Sequence, residues 1–364
     1  MNNKPSILAV CNTPFQIIVA CHILQTYYQN AEVDLYISSG IKGAKQLVQN
    51  ARETGKFRKV ELIVIRKTFY KDKSVKDKLV YVCKRAWEII ATLRLAKTIY
   101  RQHYDVVLFS NISILTKRLT TLFLHSNPSC RIELFEEGTI TYTQQFADGD
   151  SEKTPYRRFV DSRGVINCLD TLYVFNPEFL VWKPSKGKVV TLPKLTHPTE
   201  DFHKTINTIF GYEQCEDKYD KPLIFFEESH VMEGFEVPDV EIVNRIAEKI
   251  GKSNVMVKIH PRNYQNRFAQ LGYKTNKNIA IPWEVIMLNQ SMAGKILVTI
   301  SSGAAIYPYL YFGIPTKTYS LMNCLSERPG LMKGDNGELM QKIYTSYPDV
   351  FKAPSSMEEF LADI

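Results

Sequence analysis

The sequence predicts an α/β protein of two domains, each built on a parallel sheet covered by helices. Three observations predict it. Short β-branched runs alternate with helical patterns through the first half of the chain, the mark of consecutive βαβ units. The alternation restarts near residue 223. Between the two regions, Pro177, Pro184, Pro193 and Pro198 fall among lysines, threonines and short apolar pieces, as at a domain boundary or linker. A length of 364 residues suits two ordinary domains, placed at 1–180 and 181–364.

In the first domain Ile7–Val10 reads as a strand, Phe15–Tyr28 as a helix, Val33–Ser38 as a strand and Ile41–Glu53 as a helix. Lys59–Ile65 follows as a strand, then Leu79–Gln102 as a long helix, Val106–Ser110 as a strand, Ile114–Leu124 as a helix and Ile132–Phe135 as a strand. Most of these strands are nearly continuous apolar runs, as expected of a sheet covered on both faces. In the second domain the strands are Leu223–Phe226, Val255–Ile259, Ile296–Ile300 and Thr316–Tyr319. The helices between them are Val240–Ile250, Trp283–Ser291 and Gly303–Phe312.

Composition narrows the class. Hydrophobic residues make up 45% and charged residues 23%, the balance of a soluble globular protein. The longest apolar runs, such as Ile7–Cys11, fall far short of the ~20 residues a membrane span needs, and Ile7–Val10 is too short for a signal-peptide core. Seven cysteines are scattered singly, with no CxxC pair, which argues against a zinc site or disulfide framework and for a reducing cytoplasm. The glycine patterns of dinucleotide sites, P-loops and nucleophile elbows are absent from the sequence. Asp148-Gly149-Asp150 lies in a polar turn rather than at a strand end, so it reads as a turn and not as a metal site.

The formal net charge is +8, and the excess is uneven. Arg66, Lys67, Lys71, Lys73, Lys76, Lys78, Lys84 and Arg85 crowd one segment, interleaved with Phe69, Tyr70, Tyr81 and Trp87. This reads as a solvated helix face, as a surface for an anionic membrane, or as a holder for an acidic acceptor. No nucleic-acid-binding motif accompanies it.

In open α/β sheets ligands bind beyond the carboxyl ends of strands, so polar residues there are the candidates for chemistry. Arg131–Phe135 runs straight into Glu136, Glu137 and Gly138. Successive strand residues point to opposite faces unless the chain turns, and Gly138 permits a turn. One of the two carboxylates is then a candidate general base. Val255–Ile259 delivers Lys258, His260 and Arg262 to its end, stiffened by Pro261. A histidine among cations suits a phosphate and can supply a proton near neutral pH. Ile296–Ile300 leads into Ser301, Ser302 and Gly303, where hydroxyls and backbone N–H groups at a helix start form an anion site or simply a cap. Pro282-Trp283-Glu284 opens a helix, and Glu284 is either an ordinary first-turn acid or a ribose contact. At the first strand, Asn12-Thr13-Pro14-Phe15-Gln16 gives Thr13 as an N-cap before Pro14, with Asn12 and Gln16 bordering the strand ends.

Taken together, Glu136-Glu137-Gly138, His260-Pro261 and Ser301-Ser302 resemble, in order, the three signatures of bacterial sialyltransferases of the two-domain GT-B fold. Asn12-Thr13-Pro14-Phe15-Gln16 is similar to the opening motif of the family that includes lipooligosaccharide sialyltransferases. Glu136 to Thr139 with Tyr142 is similar to bacterial polysialyltransferases. The resemblance implies two Rossmann-like domains facing a cleft, the first binding the acceptor and the second a CMP-sugar. It implies inverting transfer of sialic acid from CMP-sialic acid to a hydroxyl of a cell-surface or capsular glycan or glycolipid. By the same resemblance, Glu136 is favoured as the base, with Glu137 left open. His260 and Pro261 would meet the CMP phosphate, joined by Ser301, Ser302 and Gly303. Glu284 would hold the ribose, and Lys258 the cytosine or phosphate. Asn12 is assigned to the donor, and Thr13 and Gln16 to the acceptor. No cofactor or metal is implied, since a monophosphate leaves. The expected location is cytoplasmic, with peripheral contact to an anionic membrane. A hexosyltransferase of the same fold and a non-catalytic glycan- or nucleotide-binding protein are the alternatives.

Overall fold

The computed structural model describes residues 4–64, 75–144, 146–147, 164–229, 237–263, 265–325 and 334–364, with the side chains at 75–79, 81 and 85 excepted. The chain divides into two compact units. The first comprises Met1–Leu192 with Lys204–Ile209, the second Pro193–His203 with Phe210–Ile364. The helix Glu200–Phe210 thus contributes residues to both.

The first unit is a seven-stranded sheet in the order β3-β2-β1-β4-β5-β6-β7. Its strands are β1 (Ser6–Cys11), β2 (Glu32–Ser38), β3 (Lys59–Ile63), β4 (Val106–Phe109), β5 (Arg131–Phe135), β6 (Thr171–Val174) and β7 (Lys188–Thr191). Every pairing is parallel. β1 and β4 are buried almost throughout, as the apolar runs require of central strands covered on both faces. The helices are α1 (Pro14–Tyr27), α2 (Ala44–Glu53), α3 (Val75–Tyr100) and α4 (Ile114–Ser126). α1 is apolar nearly all round and is buried from Phe15 to Cys21, whereas Leu47, Val48 and Ala51 form the one buried stripe of the polar α2.

The second unit is a six-stranded parallel sheet in the order β10-β9-β8-β11-β12-β13. These are β8 (Leu223–Phe226), β9 (Val255–Lys258), β10 (Lys274–Thr275), β11 (Ile296–Thr299), β12 (Lys317–Ser320) and β13 (Phe351–Lys352). The helix Asp239–Ile250 lays Ile242, Val243 and Ile246 onto Leu223, Phe225, Val255 and Val257 in one apolar core.

Both sheets reverse direction once. The chain builds outward from β1 to β3 and returns to β4 on the other side of β1; it does the same from β8 to β10 and back to β11. Such topological switch points open a crevice at the carboxyl ends of the two diverging strands. Asn12 follows β1 and Glu228 follows β8, so each unit presents polar residues at that place.

Two sequence expectations change. The proline-punctuated stretch expected as a linker contains β7, whose register with β6 runs Thr171↔Lys188 to Val174↔Thr191. The first sheet therefore extends past the expected boundary at 180/181, to Thr191. The expected helix Gly303–Phe312 is a 3-10 turn, Gly303–Ala305, followed by the short helix Tyr307–Leu310. Pro308 lacks an N–H and cannot sit inside a longer α-helix.

Candidate active site

The first cluster is built on the ends of β1 and β5. Gly138 has φ 113° and ψ −159°, a region essentially restricted to glycine. It turns the chain from β5 into a 3-10 turn, Thr139–Tyr142. The two glutamates before it face different ways, as alternation along a strand requires.

Glu136 points inward and is fully buried. Its carboxylate accepts the Tyr142 hydroxyl at 2.5 Å and the Phe175 N–H at 2.9 Å. Burial, and then the Glu136 charge, push the Tyr142 phenol well above its ordinary pKa, so the tyrosine remains the donor. Glu137 is only partly buried. Its N–H donates to Thr141 Oγ1 at 2.8 Å, and its Oε1 accepts from Gln16 Nε2 at 3.0 Å. Of the two candidate bases, Glu136 is an interior carboxylate tied to its own unit, and Glu137 is the one that reaches the surface.

Gln16 is fully buried, and its amide oxygen accepts the Asn12 N–H while its amide nitrogen donates to Glu137. In this structure its side chain faces Glu137 from inside the unit. Thr13 caps α1, its hydroxyl accepting the Gln16 N–H at 3.3 Å. Asn12 contributes its backbone to this cluster.

The second cluster stands at the ends of β8, β9 and β11. Phe226 pairs with Lys258 on one side and with Thr299 on the other. Two residues further on, Glu228, His260 and Ser301 come level in a row, with His260 and Ser301 roughly 10 Å apart across two strand spacings.

His260 Nδ1 accepts the Arg262 N–H at 3.2 Å. In the neutral ring the proton then sits on Nε2, which becomes a donor. The turn is pinned by Glu227, whose Oε2 accepts the His260 backbone N–H at 3.2 Å, and by the Asn263 N–H to the His260 carbonyl at 2.9 Å. Pro261 is exposed in this turn. Glu227 is itself buried and paired with Arg267 at 3.3 Å, and Arg267 also pairs with Asp239.

Ser301 donates both its N–H and its hydroxyl to the Glu228 carboxylate. Thr299 Oγ1 joins them at 2.9 Å. Ser302 caps the following turn, its Oγ accepting the Ala304 N–H at 3.3 Å. Gly303 has no positive φ, and a Cβ there would meet nothing nearer than the Tyr307 hydroxyl at 3.8 Å. Neither serine is simply available to an anion, then: one is engaged by a carboxylate and the other by the turn.

Lys258 and Glu284 complete the cluster beside Trp283. Lys258 keeps some exposed surface, yet its ammonium is packed closely enough that burial pushes its pKa down to about 8, with the Glu284 charge opposing. Burial raises the Glu284 carboxyl, and the Lys258 charge only partly offsets this. Trp283 lies edge-on to Phe226 with ring centroids 5.1 Å apart, and Lys258 Nζ sits 6.0 Å from its ring. The buried Trp283 indole N–H has no hydrogen-bond partner among the described residues.

Glu227 and Glu228 are functional candidates that the sequence reading passed over. The signal was available: β8 is an apolar run leading into two adjacent carboxylates, the same pattern as Glu136-Glu137. Asp148-Gly149-Asp150, Arg66, Lys67, Lys71 and Lys73 lie outside the described residues, as do the side chains of Lys76, Lys78 and Arg85. Among the described residues no group of three or more His, Cys, Asp or Glu is placed to hold a metal ion.

A family model described as alpha-2,8-polysialyltransferase matches residues 7–321, a span that includes both clusters. The chain belongs to the alpha-2,8-polysialyltransferase family. No curated protein matches it. Among solved structures it is similar to Arabidopsis thaliana UGT89C1 complexed with UDP-L-rhamnose (TM-score 0.53, 11% identity, covering 100% of this chain and 90% of that one). It is likewise similar to the spinosyn rhamnosyltransferase SpnG complexed with thymidine diphosphate (TM-score 0.53, 12% identity, 98% and 90% covered). A third is Glycyrrhiza uralensis UGT73P12 complexed with glycyrrhetinic acid 3-O-monoglucuronide (TM-score 0.53, 6% identity, 96% and 81% covered). At such identities these likenesses concern the fold, which is that of GT-B glycosyltransferases with two Rossmann-like units. By family and fold, this polysialyltransferase-family chain is a glycosyltransferase.

Proposed function

We propose that the protein is an inverting, metal-independent sialyltransferase that moves sialic acid from CMP-sialic acid to a hydroxyl of a glycan or glycolipid acceptor. The observation that carries this reading is the carboxylate of Glu137, oriented by the buried Gln16 amide in the first unit; in the second unit, the Arg262 N–H on His260 Nδ1 sets the neutral ring with its proton on Nε2.

Glu137 is the general base. It accepts the proton of the acceptor hydroxyl as that oxygen attacks the anomeric carbon. His260 Nε2–H donates to the departing CMP phosphate and stabilises the charge that develops there. Ser301 and Ser302 lie along the same strand ends and bind that phosphate once Glu228 yields its contacts. Lys258, Glu284 and the Trp283 indole surround the nucleoside, with Glu284 on the ribose hydroxyls. The leaving group is a nucleoside monophosphate, so its charge can be met by these donors without a diphosphate-bound cation. A reducing, cytoplasmic setting is supported by the free state of all seven cysteines.

The test is CMP release from CMP-sialic acid in EDTA, with and without a panel of β-galactosides and sialylated oligosaccharides. Release that rises with an acceptor and collapses in Glu137→Gln and in His260→Ala supports the reading. Unaltered turnover in both variants overturns it.

A further inference from the structure

The charge of this protein is concentrated in one place. Between residues 66 and 101 there are eleven Lys and Arg against three Asp and Glu, an excess equal to the +8 of the whole chain. The remaining residues are neutral in sum. α3 runs through this segment, and its surface is not that of an ordinary solvated helix. Val80 is 44% exposed, Trp87 63% and Ile90 47%, and Cys83 is exposed with them. Their spacing of three, four and three residues puts all four on one stripe. Arg94 and Lys97 continue that stripe in the same rhythm, and Lys84 flanks it; all three are exposed. Val82, off the stripe, is 59% exposed as well. Glu88, the acid within this stretch of the helix, is buried.

We propose that this face of α3 is a membrane-docking surface that takes anionic lipid. Apolar side chains enter the headgroup boundary while the flanking cations meet lipid phosphates, the arrangement of an interfacial amphipathic helix. No described helix is long and apolar enough to cross a membrane, so the contact is peripheral. Charge complementarity selects the occupant. A second copy would bring the same cations against themselves. A soluble anionic glycan would satisfy the cations and could stack on the indole, but it offers no apolar layer to Val80 and Ile90 on the same stripe. An anionic bilayer satisfies both. The inference goes beyond the transfer reaction and stands without it.

The protein carries three tryptophans, of which Trp182 and Trp283 are buried and Trp87 is exposed. A change of intrinsic emission on adding vesicles therefore reports Trp87. The experiment is sedimentation of the full chain with vesicles of phosphatidylcholine containing phosphatidylglycerol, against phosphatidylcholine alone, with emission spectra of the same samples. Binding to the anionic vesicles alone, with a blue shift, is expected. Trp87→Ser with Ile90→Ser lowers the partition at least about tenfold. Lys84→Ala, Arg94→Ala and Lys97→Ala together lower it by about a hundredfold at low salt. Thermal melts of the variants serve as the folding control, and the wild-type blue shift stands independently of any variant. Anionic vesicles that neither sediment the protein nor shift its emission overturn the proposal. So does equal vesicle binding by the Trp87/Ile90 variant, which would leave the apolar stripe without a part in the contact. A dimer formed without lipid and lost in that variant would assign the face to a second copy, and would overturn it too.

Discussion

Gln16 Nε2 donates to Glu137 Oε1 at 3.0 Å, joining the end of the first strand to the end of the fifth across 121 residues of chain. The same amide accepts the Asn12 N–H, so the glutamine is fixed at both ends and fixes the carboxylate in turn. Glu137→Gln should lower kcat by about 10²–10⁴-fold, the usual contribution of a positioned base, with an unchanged melting temperature. Gln16→Ala should lower kcat while leaving the donor KM near its wild-type value. Steady-state kinetics on both variants check this, and an equal loss in KM alone would remove the positioning role.

Glu136 gives the opposite pattern. Its carboxylate accepts from Tyr142 and Phe175 in the interior, both on the same oxygen; a glutamine can keep both bonds through its carbonyl but then buries an NH2 where the second carboxylate oxygen was. Glu136→Gln should cost about 1–3 kcal/mol of stability, as for a buried hydrogen-bonding group left unsatisfied. Denaturant unfolding measures it. A variant as stable as wild type but inactive would return the base to Glu136.

Gly138 is set by backbone geometry. At φ 113° a side chain is strained, and Gly138→Ala should destabilise by about 1–3 kcal/mol while displacing Glu137. The readouts are a melting curve and kcat measured together. Gly303→Ala is the contrast, since nothing in the fold resists a Cβ there; its melting temperature should stay, and any loss should fall on donor binding.

Lys258 makes a pH prediction with two signs. Burial holds its ammonium pKa at about 8, below the ordinary lysine value of about 10.4. Between those values the unfolded chain binds the proton and the folded one does not, so stability rises with pH across that window. The donor contact behaves oppositely, because the positive charge is lost as pH passes about 8 and the donor KM then climbs. Lys258→Met should raise the melting temperature near neutral pH and make donor KM high and insensitive to pH from about 7 to 9. A donor KM in wild type that is flat through about pH 8 would take Lys258 off the donor.

Ser301 gives its N–H and its hydroxyl to Glu228, and a phosphate needs the same two donors. Carboxylate and phosphate therefore compete. Glu228→Gln, which weakens the acceptor, should lower the KM for CMP-sialic acid and the inhibition constant of CMP together. If both rise instead, Glu228 supports the phosphate site and does not compete with it.

The strands were the most legible part of this sequence, because β1, β4, β8 and β11 are apolar runs that nothing but a doubly covered sheet would bury. β7 was not legible. Its residues are exposed or half-buried in the pattern of an edge strand, and the prolines around it look like a linker. Glu200–Phe210, anchored by Phe202 and Ile206, carried a helix-start signal in its acidic first turn, yet the residues between Pro198 and Leu223 went unassigned. The carbonyl-end residues could be located from the sequence, yet their orientation could not. Alternation says that Glu136 and Glu137 diverge; only the Gly138 turn, Tyr142 and Gln16 decide which of them is interior. Glu228 carried the same strand-end signal as Glu137, but its partner was not legible: Ser301 lies 73 residues away in sequence and meets it through the β8–β11 pairing.

The most direct test of the account is a donor comparison on the purified wild-type chain in EDTA. CMP-sialic acid and a set of UDP-sugars are offered separately with the same sialylated acceptor, and the acceptor mass is read out. The account predicts an acceptor heavier by one or more sialyl residues with CMP-sialic acid alone, stoichiometric CMP release, and loss of both in Glu137→Gln. Transfer of a hexose from a UDP-sugar, with CMP-sialic acid inert, would contradict it.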